Sequence, residues 1–222
     1  MFTGIVQGFA TVQALTDKPG LRAITLGLPP GFDADLRIGA SVAVDGVCLT
    51  VNGRRADAAE FDVMSQSLSV TTLGGLQPGS RVNIERAARQ GDEIGGHPLS
   101  GHVDFMAAVE QIVRPENNTM LRLAVTAPWM RYIFPRGYVA VSGVSLTVAE
   151  AHRNAEGGGW FEVWLIPETL RVTALADYGV GAMLNIEIER TTRVLVDTVR
   201  DAIDERFSAL LPQLQGLTRR GS

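Results

Sequence analysis

The strongest constraint on the fold is an internal repeat. Residues 41–51 read SVAVDGVCLTV and residues 138–148 read YVAVSGVSLTV, and eight of these eleven positions are identical. Further along the chain, VNIE at 82–85 matches LNIE at 184–187. A repeat of roughly 100 residues is too long for a solenoid unit and has the size of a small domain, so the chain is predicted to contain two homologous halves.

The two halves are predicted to span residues 1–97 and 98–190, with a tail at 191–222. Matching positions lie 97 residues apart in the hairpin segments and 102 apart in the VNIE and LNIE segments. The added residues fit the glycine-rich turn at 157–159, where a loop can lengthen at little cost. No linker rich in proline or serine separates the halves, so they are expected to pack directly.

Short β-branched runs alternate with turn signals in each half. Val42–Val44, the Asp45-Gly46 pair and Val47–Val51 form a hairpin pattern. Further strands are expected at 61–64, 81–85 and 161–165. This spacing allows about six strands per half, with few helices to cover an open sheet. Because closure removes exposed sheet edges, a mainly β fold with two tandem six-stranded β-barrels is predicted.

The tail has a different pattern. Apolar side chains recur at helical spacing between charged ones, at Val196, Val199, Ile203, Phe207 and Leu210. They predict an amphipathic helix over residues 191–211 that ends at Pro212. Its narrow, heptad-like apolar stripe leaves two alternatives: packing on its own barrel, or association with another copy of the chain.

Composition excludes several classes of function. The formal net charge is −4 and no basic run is present, so no nucleic-acid partner is expected. The apolar stretches are strand-sized, and the N-terminus lacks the basic and apolar regions of a signal peptide, so no membrane association is expected. With one cysteine in the chain, an internal disulfide is excluded. Together these features predict a cytoplasmic protein.

Three residues carry most of the predicted chemistry: Cys48, His97 and His102. Cys48 stands where the second hairpin has Ser145, and it is either a nucleophile or proton carrier, or a small buried apolar residue. The two histidines are candidate proton carriers, with structural hydrogen bonding as the alternative. A stable metal site needs three or four ligands, so no metal is expected here.

Strand geometry adds further candidate ligand contacts. Thr50 and Thr147 lie two residues after Cys48 and Ser145, and therefore on the same strand face, although β-propensity alone also accounts for them. Gly4 and Gly101 begin the matching segments GIV and GHV, where glycine permits a close backbone approach to a ligand.

Five segments together resemble the riboflavin synthase family, in the family's order and over nearly the whole chain: MFTGIV, DGVCLTV, GGHPLSGHVD, SGVSLTV and LIPETL. This resemblance implies two six-stranded Greek-key lumazine-binding barrels and a C-terminal trimerisation helix. The implied reaction is the dismutation of two 6,7-dimethyl-8-ribityllumazine molecules. A four-carbon unit passes from one to the other, giving riboflavin and 5-amino-6-(D-ribitylamino)uracil without a cofactor or metal. The implied active site lies between barrels of neighbouring subunits, and some relatives associate with lumazine synthase.

The same resemblance implies a set of site residues. The implied catalytic residues are Phe2, Cys48, His97, His102, Ser145, Thr147 and Glu189. The implied substrate contacts in the first half are Gly4, Ile5, Val6, Cys48, Leu49, Thr50, Asp62, Val63, Met64, Ser65, Gln66 and Ser67. Those in the second half are Gly101, His102, Val103, Arg136, Ser145, Leu146, Thr147, Trp164, Leu165, Ile166, Pro167, Glu168 and Thr169.

Three positions depart from the family pattern. The first half has Gln66-Ser67 where the family has a Glu-Thr pair, which is expected to alter binding strength in the first pocket. Glu189 replaces an aspartate, and Ser142 replaces an acidic or amide residue before a glycine, which affects turn stability more than chemistry. The alternative to the enzyme is a non-catalytic lumazine or flavin carrier or antenna protein. Because such proteins lose the cysteine and the histidine-bearing segment, the residues present here favour catalysis.

Overall fold

The structure, a computed structural model, describes residues 1–218, with side chains described for 1–208 and 210. The chain divides into two compact units, Met1–Glu189 and a second unit that begins at Arg190. The first unit contains both halves of the repeat, and the second is helical.

The first half forms a closed antiparallel barrel with the strand order β1-β2-β5-β4-β3-β6. Its strands are β1 (Gly8–Lys18), β2 (Leu21–Gly27), β3 (Ser41–Val44), β4 (Val47–Arg55), β5 (Ala58–Met64) and β6 (Arg81–Arg86). A short helix, α1 (Ser65–Val70), and a 3₁₀ turn over Thr72–Gly75 connect β5 to β6.

The second half forms a barrel of the same topology, with the order β7-β8-β11-β10-β9-β12 around its wall. Its strands are β7 (Phe105–Val113), β8 (Thr119–Val125), β9 (Tyr138–Val141), β10 (Val144–Arg153), β11 (Gly159–Leu165) and β12 (Met183–Ile188). Two 3₁₀ turns, Trp129–Tyr132 and Ala174–Asp177, and the helix α2 (Pro167–Val172) lie between the strands. The predicted pair of six-stranded barrels is confirmed, and the strand order is that of a Greek key.

The β3–β4 and β9–β10 hairpins turn as the sequence predicts. Asp45 and Gly46 have φ angles of 45° and 80°, and Ser142 and Gly143 have 44° and 81°. Two consecutive residues with positive φ are typical of a type I′ turn, whose twist matches that of the flanking strands. Three of the five residues added in the second half lie in the predicted place, the β10–β11 loop at 154–158, because the first half has only a two-residue turn at 56–57 there.

The interior of each barrel is filled by apolar side chains, so neither barrel encloses a ligand cavity. Val47, Leu49 and Val51 of β4 point into the first barrel and are buried, whereas Cys48 and Thr50 alternate with them on the outer face. The ligand-facing surface that the strand pattern predicts is therefore the outside of the barrel wall.

The two barrels pack directly against each other through their hairpin turns. A Cβ atom on Gly46 would lie 2.8 Å from the backbone nitrogen of Gly143, so the two turns meet backbone to backbone. Side-chain amides cross the contact in both directions: Asn83 Nδ2 donates to the Ser142 carbonyl and Asn185 Nδ2 to the Asp45 carbonyl, each at 2.9 Å. The repeated Asn of the VNIE and LNIE segments therefore joins the halves.

The second unit consists of helix α3 (Arg190–Thr218). The predicted helix is confirmed, but its predicted end at Pro212 is wrong, because the helix continues to Thr218. A proline removes one backbone hydrogen bond, at a cost of roughly 3 kcal/mol, and does not by itself prevent the helix from continuing beyond it. Among the described residues, no helix has the length and apolar character needed to cross a membrane.

Candidate active site

Two rows of side chains at equivalent positions face outward, one on each barrel. In the first barrel the row is Cys48 and Thr50 on β4; in the second it is Ser145 and Thr147 on β10. Cys48 and Ser145 are partly exposed, and both threonines are exposed. The repeat thus creates two related surfaces that differ in the nucleophilic atom they present, a sulfur in one and a hydroxyl oxygen in the other.

Each row is held by a segment from the other half of the chain. Phe2 and Leu99 pair as an antiparallel bridge, which joins the first residues of the two halves. The Cys48 N–H donates to the carbonyl of Gly101 at 2.8 Å, and the Ser145 N–H donates to the carbonyl of Gly4 at 2.9 Å. The halves therefore exchange segments, and each barrel depends on the other for the backbone beside its site.

Two buried glutamates anchor these exchanged segments. Glu85 accepts hydrogen bonds from the backbone N–H groups of Thr3 and Gly4 and from the Thr3 hydroxyl, at 2.6 to 3.0 Å. Glu187 accepts the same three bonds from Ser100 and Gly101, at 2.7 to 3.0 Å. Burial raises the pKa of Glu85, and the hydrogen bonds from Thr3 and Gly4 oppose that rise.

His97 is the most constrained titratable side chain near the Ser145 row. Its Nδ1 lies 2.6 Å from the Ser145 Oγ, and its ring stacks on Tyr138 with 5.4 Å between centroids and 20° between planes. Burial lowers the pKa of His97, and the nearby Glu189 carboxylate opposes this change. The lowered pKa favours the neutral imidazole, and its buried Nε2 has no hydrogen-bond partner among the described residues.

Phe2 lies beneath Cys48. Its side chain is 1% exposed and packs with Ala43, Leu99 and Cys48 in a small apolar cluster. The ring therefore supports the strand that carries Cys48. His102, by contrast, is exposed just after Gly101, and its backbone N–H donates to the Ser100 hydroxyl at 3.2 Å.

The other predicted contact residues separate into three groups by exposure: buried, exposed and partly buried. Five have side chains that are buried, so at these positions only the backbone is available to a ligand outside the wall: Val6, Leu49, Val63, Leu146 and Leu165. The exposed group is Ile5, Thr50, Asp62, Met64, Ser65, Gln66, His102, Arg136, Thr147, Trp164, Ile166, Pro167 and Glu168. Ser67, Val103 and Thr169 are partly buried.

The segments after β5 and β11 are short helices. Ser65–Val70 forms α1, and Pro167–Val172 forms α2. The hydroxyl of Thr71 donates to the Ser67 carbonyl, and that of Thr173 to the Thr169 carbonyl, each at 2.6 Å. The hydroxyls of Thr71 and Thr173 thus bond to carbonyls of the short helices, and the Thr169 carbonyl also accepts from the Thr173 N–H.

The surroundings of the two threonines differ strongly between the barrels. Tyr138 pairs with Thr147 across β9 and β10, and Trp164 lies on the neighbouring β11; both aromatic side chains are about half exposed. The equivalent positions in the first barrel are Ser41, which pairs with Thr50, and Asp62, which lies 3.7 Å from Lys18. The second wall is therefore aromatic where the first is polar, and the two surfaces cannot bind a flat heterocycle in the same way.

Arg136 has an unusual backbone conformation next to the Ser145 row. Its φ of 68° matches the 88° of Gly39, the equivalent residue in the first half. Its N–H donates to the Val148 carbonyl at 2.7 Å, and its side chain is exposed.

Sequence reasoning missed three residues of this arrangement: Glu85, Glu187 and Tyr138. The glutamates end the VNIE and LNIE segments, so an acidic residue kept in both copies of the repeat was the available signal. Tyr138 had no such signal, because its stacking on His97 depends on contact between residues far apart in the chain. Among the described residues, no group of three or more His, Cys, Asp or Glu side chains is arranged to hold a metal ion.

Gly101→Ala is expected to displace Cys48. Gly101 has a φ of +78°, and a Cβ there would lie 2.6 Å from the Cys48 Cβ and 2.9 Å from its nitrogen. If Cys48 takes part in the reaction, a backbone movement of about 1 Å beside it is expected to lower turnover by roughly 100-fold. Gly181→Ala is the matched control, because Gly181 has a φ of +88° but open space around it. Steady-state turnover of both variants tests this, and equal rates would contradict the role of the close contact.

The fold and this site together define a class: tandem-barrel proteins that present paired small-molecule surfaces on the outer walls. The lumazine binding domain model matches residues 3–87 and again residues 100–189. The chain belongs to this family.

Relatives extend over nearly the whole chain. A riboflavin synthase of Escherichia coli (strain K12) is 42% identical over 95% of this chain and 97% of its own length. A riboflavin synthase of Mycobacterium tuberculosis (strain H37Rv) is 39% identical over 91% of this chain and 100% of its own. Crystal structures of LumP with flavin mononucleotide and with riboflavin superpose with TM-scores of 0.75, at 22% and 24% identity, over 86% of this chain and 100% of LumP. At this identity the LumP structures support the fold alone.

Proposed function

We propose that this chain is an enzyme, a transferase that catalyses the riboflavin synthase reaction. Two molecules of 6,7-dimethyl-8-ribityllumazine react, a four-carbon unit passes from one to the other, and riboflavin and 5-amino-6-(D-ribitylamino)uracil are formed. The observation that carries the proposal is the 42% identity to a riboflavin synthase over 95% of the chain.

The geometry supports unequal roles for the two barrels. The reaction needs two copies of one substrate, and the duplicated walls offer two surfaces of related shape. One substrate molecule must donate the four-carbon unit and the other must accept it, so the two walls must differ. The first wall has Cys48 and Ser41 where the second has Ser145 and Tyr138. Holding two rings against each other replaces a bimolecular encounter and contributes about 7–11 kcal/mol to catalysis.

The residues near each row have distinct proposed roles. His97, oriented by Ser145 and with Glu189 nearby, exchanges a proton with the lumazine methyl group. Cys48 adds to, or carries a proton for, a ring bound at the first wall. His102, exposed after Gly101, is the second proton carrier. The outward threonines, Arg136 and the polar residues of 65–67 and 168–169 bind the ribityl chain and the ring edge, which need hydroxyl, amide and carboxylate partners.

The barrels are proposed to act as domains over residues 1–97 and 98–190, followed by a helical domain at 191–222. The active enzyme is proposed to be a homotrimer in which the first barrel of one subunit faces the second barrel of a neighbour. The supporting observation is the stripe on α3 formed by Val199, Ile203, Phe207 and Leu210, whose apolar side chains are about half exposed or more. Association of such stripes buries apolar surface.

Removal of the residues after Arg190 is expected to give a monomer with less than about 1% of full-length turnover, because pairing of two barrels from different subunits is lost. Light scattering reports the mass, and absorbance reports riboflavin formation. Ile203→Glu tests in the full-length chain whether the apolar stripe of α3 is needed for the oligomer and for turnover. Asp204→Asn, on the adjacent polar face, is its control. A truncated monomer with full activity would refute the shared site.

The direct test of the function is the stoichiometry of turnover. Purified protein is mixed with 6,7-dimethyl-8-ribityllumazine, and one riboflavin is expected for each two substrate molecules consumed. Saturable binding without consumption would instead favour the second candidate, a carrier or antenna protein for lumazine or flavin. Cytoplasmic location and association with lumazine synthase belong to the same proposal, and co-sedimentation of the two purified proteins tests the association.

A further inference from the structure

A cavity lies between the two barrels, and its lining shares no residue with the proposed active site. Its volume is about 720 Å³. That volume lies within the ~300–1,000 Å³ typical of small-molecule sites. The side chains that matter for its chemistry are Asp45, Tyr178 and four large apolar residues: Leu68, Leu76, Met106 and Met183.

Asp45 gives this cavity its chemical character. The residue is 1% exposed, and its Oδ1 accepts a hydrogen bond from the Asn83 N–H at 2.8 Å. Within residues 1–218, the Asp45 carboxyl forms no ion pair and no second hydrogen bond. Turn geometry alone does not require this charge, because Ser142 makes the same type I′ turn in the second half.

The groups that face Asp45 do not neutralise it. Tyr178 lies close enough that the Asp45 charge adds to the effect of burial in raising the pKa of the phenol. Arg81 also lines the cavity, but it pairs with Asp177 at 2.9 Å and lies over the ring of Phe9 at 3.5 Å. Burial raises the pKa of Asp45 to about 7, which is the behaviour of a carboxylate that lacks a cation.

We propose that this cavity binds a small organic cation with an apolar body. The positively charged N–H group donates to the free oxygen of Asp45, and the body packs against the leucine and methionine side chains. A charge-assisted hydrogen bond in a partly buried site is stronger than a neutral one, and the apolar walls give a flat or compact body its remaining contacts.

Methionine methyl groups provide a site-specific test in the full-length protein. The chain has six methionines, of which Met106 and Met183 line the cavity and Met120 and Met130 are buried elsewhere. With ¹³C-methyl methionine, benzamidine is expected to shift the Met106 and Met183 signals in a saturable way at pH 8, with a dissociation constant on the order of 1 mM. The signals of Met120 and Met130 are expected to stay unchanged, and single Met→Leu variants assign the spectrum.

Two comparisons isolate the charge. Benzamide has nearly the same shape as benzamidine but no charge, and it is expected to bind at least ten times more weakly. Asp45→Asn keeps the turn and the oxygen that accepts from the Asn83 N–H. This variant is expected to bind benzamidine at least ten times more weakly than the wild-type protein. Lowering the pH to 5.5, where Asp45 is protonated, is also expected to weaken benzamidine binding.

Three results would overturn the proposal: no saturable shift, equal binding to the wild-type protein and Asp45→Asn, or shifts confined to methionines outside the cavity. Displacement of benzamidine by 6,7-dimethyl-8-ribityllumazine would also do so, because the cation would then occupy the substrate site. Failure of this test leaves riboflavin formation unaffected, so the two proposals are separable.

Discussion

Cys48→Ala is expected to lower the rate of riboflavin formation at least 100-fold while the protein remains folded. A positioned nucleophile or proton carrier contributes about 10²- to 10⁴-fold to a rate. The side chain is partly exposed on the outer face of β4 and its backbone N–H is held by Gly101, so truncation to alanine leaves the strand in place. The measurement is kcat and KM from riboflavin absorbance, with thermal unfolding as the check of the fold.

Cys48→Ser separates the chemical role from a packing role. Serine is close to cysteine in shape and can still donate and accept hydrogen bonds, but it is a much weaker nucleophile at neutral pH. If sulfur chemistry is required, both variants lose kcat while KM changes little. Since Cys48 is the only cysteine in the chain, alkylation by iodoacetamide is expected to inactivate the wild-type protein alone. Wild-type turnover in Cys48→Ala would eliminate the nucleophile and relay roles together.

Asp45→Asn is expected to stabilise the protein at pH 8. The pKa of Asp45 is about 7 in the folded chain against 3.8 for the free side chain, because burial disfavours its charged form. The folded state therefore holds its proton more tightly, and the wild-type protein loses stability as the pH rises from about 4 through 7. Removing the charge should raise the free energy of unfolding by about 4 kcal/mol at pH 8 and by less than half of that at pH 5.

The pH dependence is the informative part of that prediction. Asparagine accepts the Asn83 hydrogen bond and tolerates the positive φ, so the turn survives the substitution. Asp57→Asn, at an exposed aspartate in the β4–β5 turn, is the matched control and should show no such change between pH 5 and 8. Urea unfolding at both pH values measures the difference. A stability gain that is the same at pH 5 and 8 would show that Asp45 does not carry a buried charge.

The sequence by itself determined the architecture of both barrels. Patterns that act over a few residues, such as the alternation in Val47–Val51 and the Asp45-Gly46 turn, set strand faces and hairpin geometry locally. The repeat then required two barrels of one topology, and it located the extra loop at 154–158. The outward position of Cys48, Thr50, Ser145 and Thr147 follows from the same alternation.

Local patterns failed where two propensities conflicted. Pro212 is a poor residue within a helix, and yet α3 continues to Thr218. The segments at 65–67 and 167–169 contain turn-forming residues, and the structure closes them as short helices whose ends are completed by Thr71 and Thr173.

Only the tertiary structure decided the environment of the chemical groups. The contact of His97 with Ser145 and Tyr138, the anchoring of Thr3 and Gly4 by Glu85, and the burial of Asp45 all join residues that are far apart in the chain. Such contacts depend on how each barrel closes and on how the two barrels pack together. A pKa depends on burial and on neighbouring charges, which a linear pattern does not contain. The sequence therefore determined which groups are present and on which strand face they lie, and the packing of the barrels decided which of them meet and how they are charged.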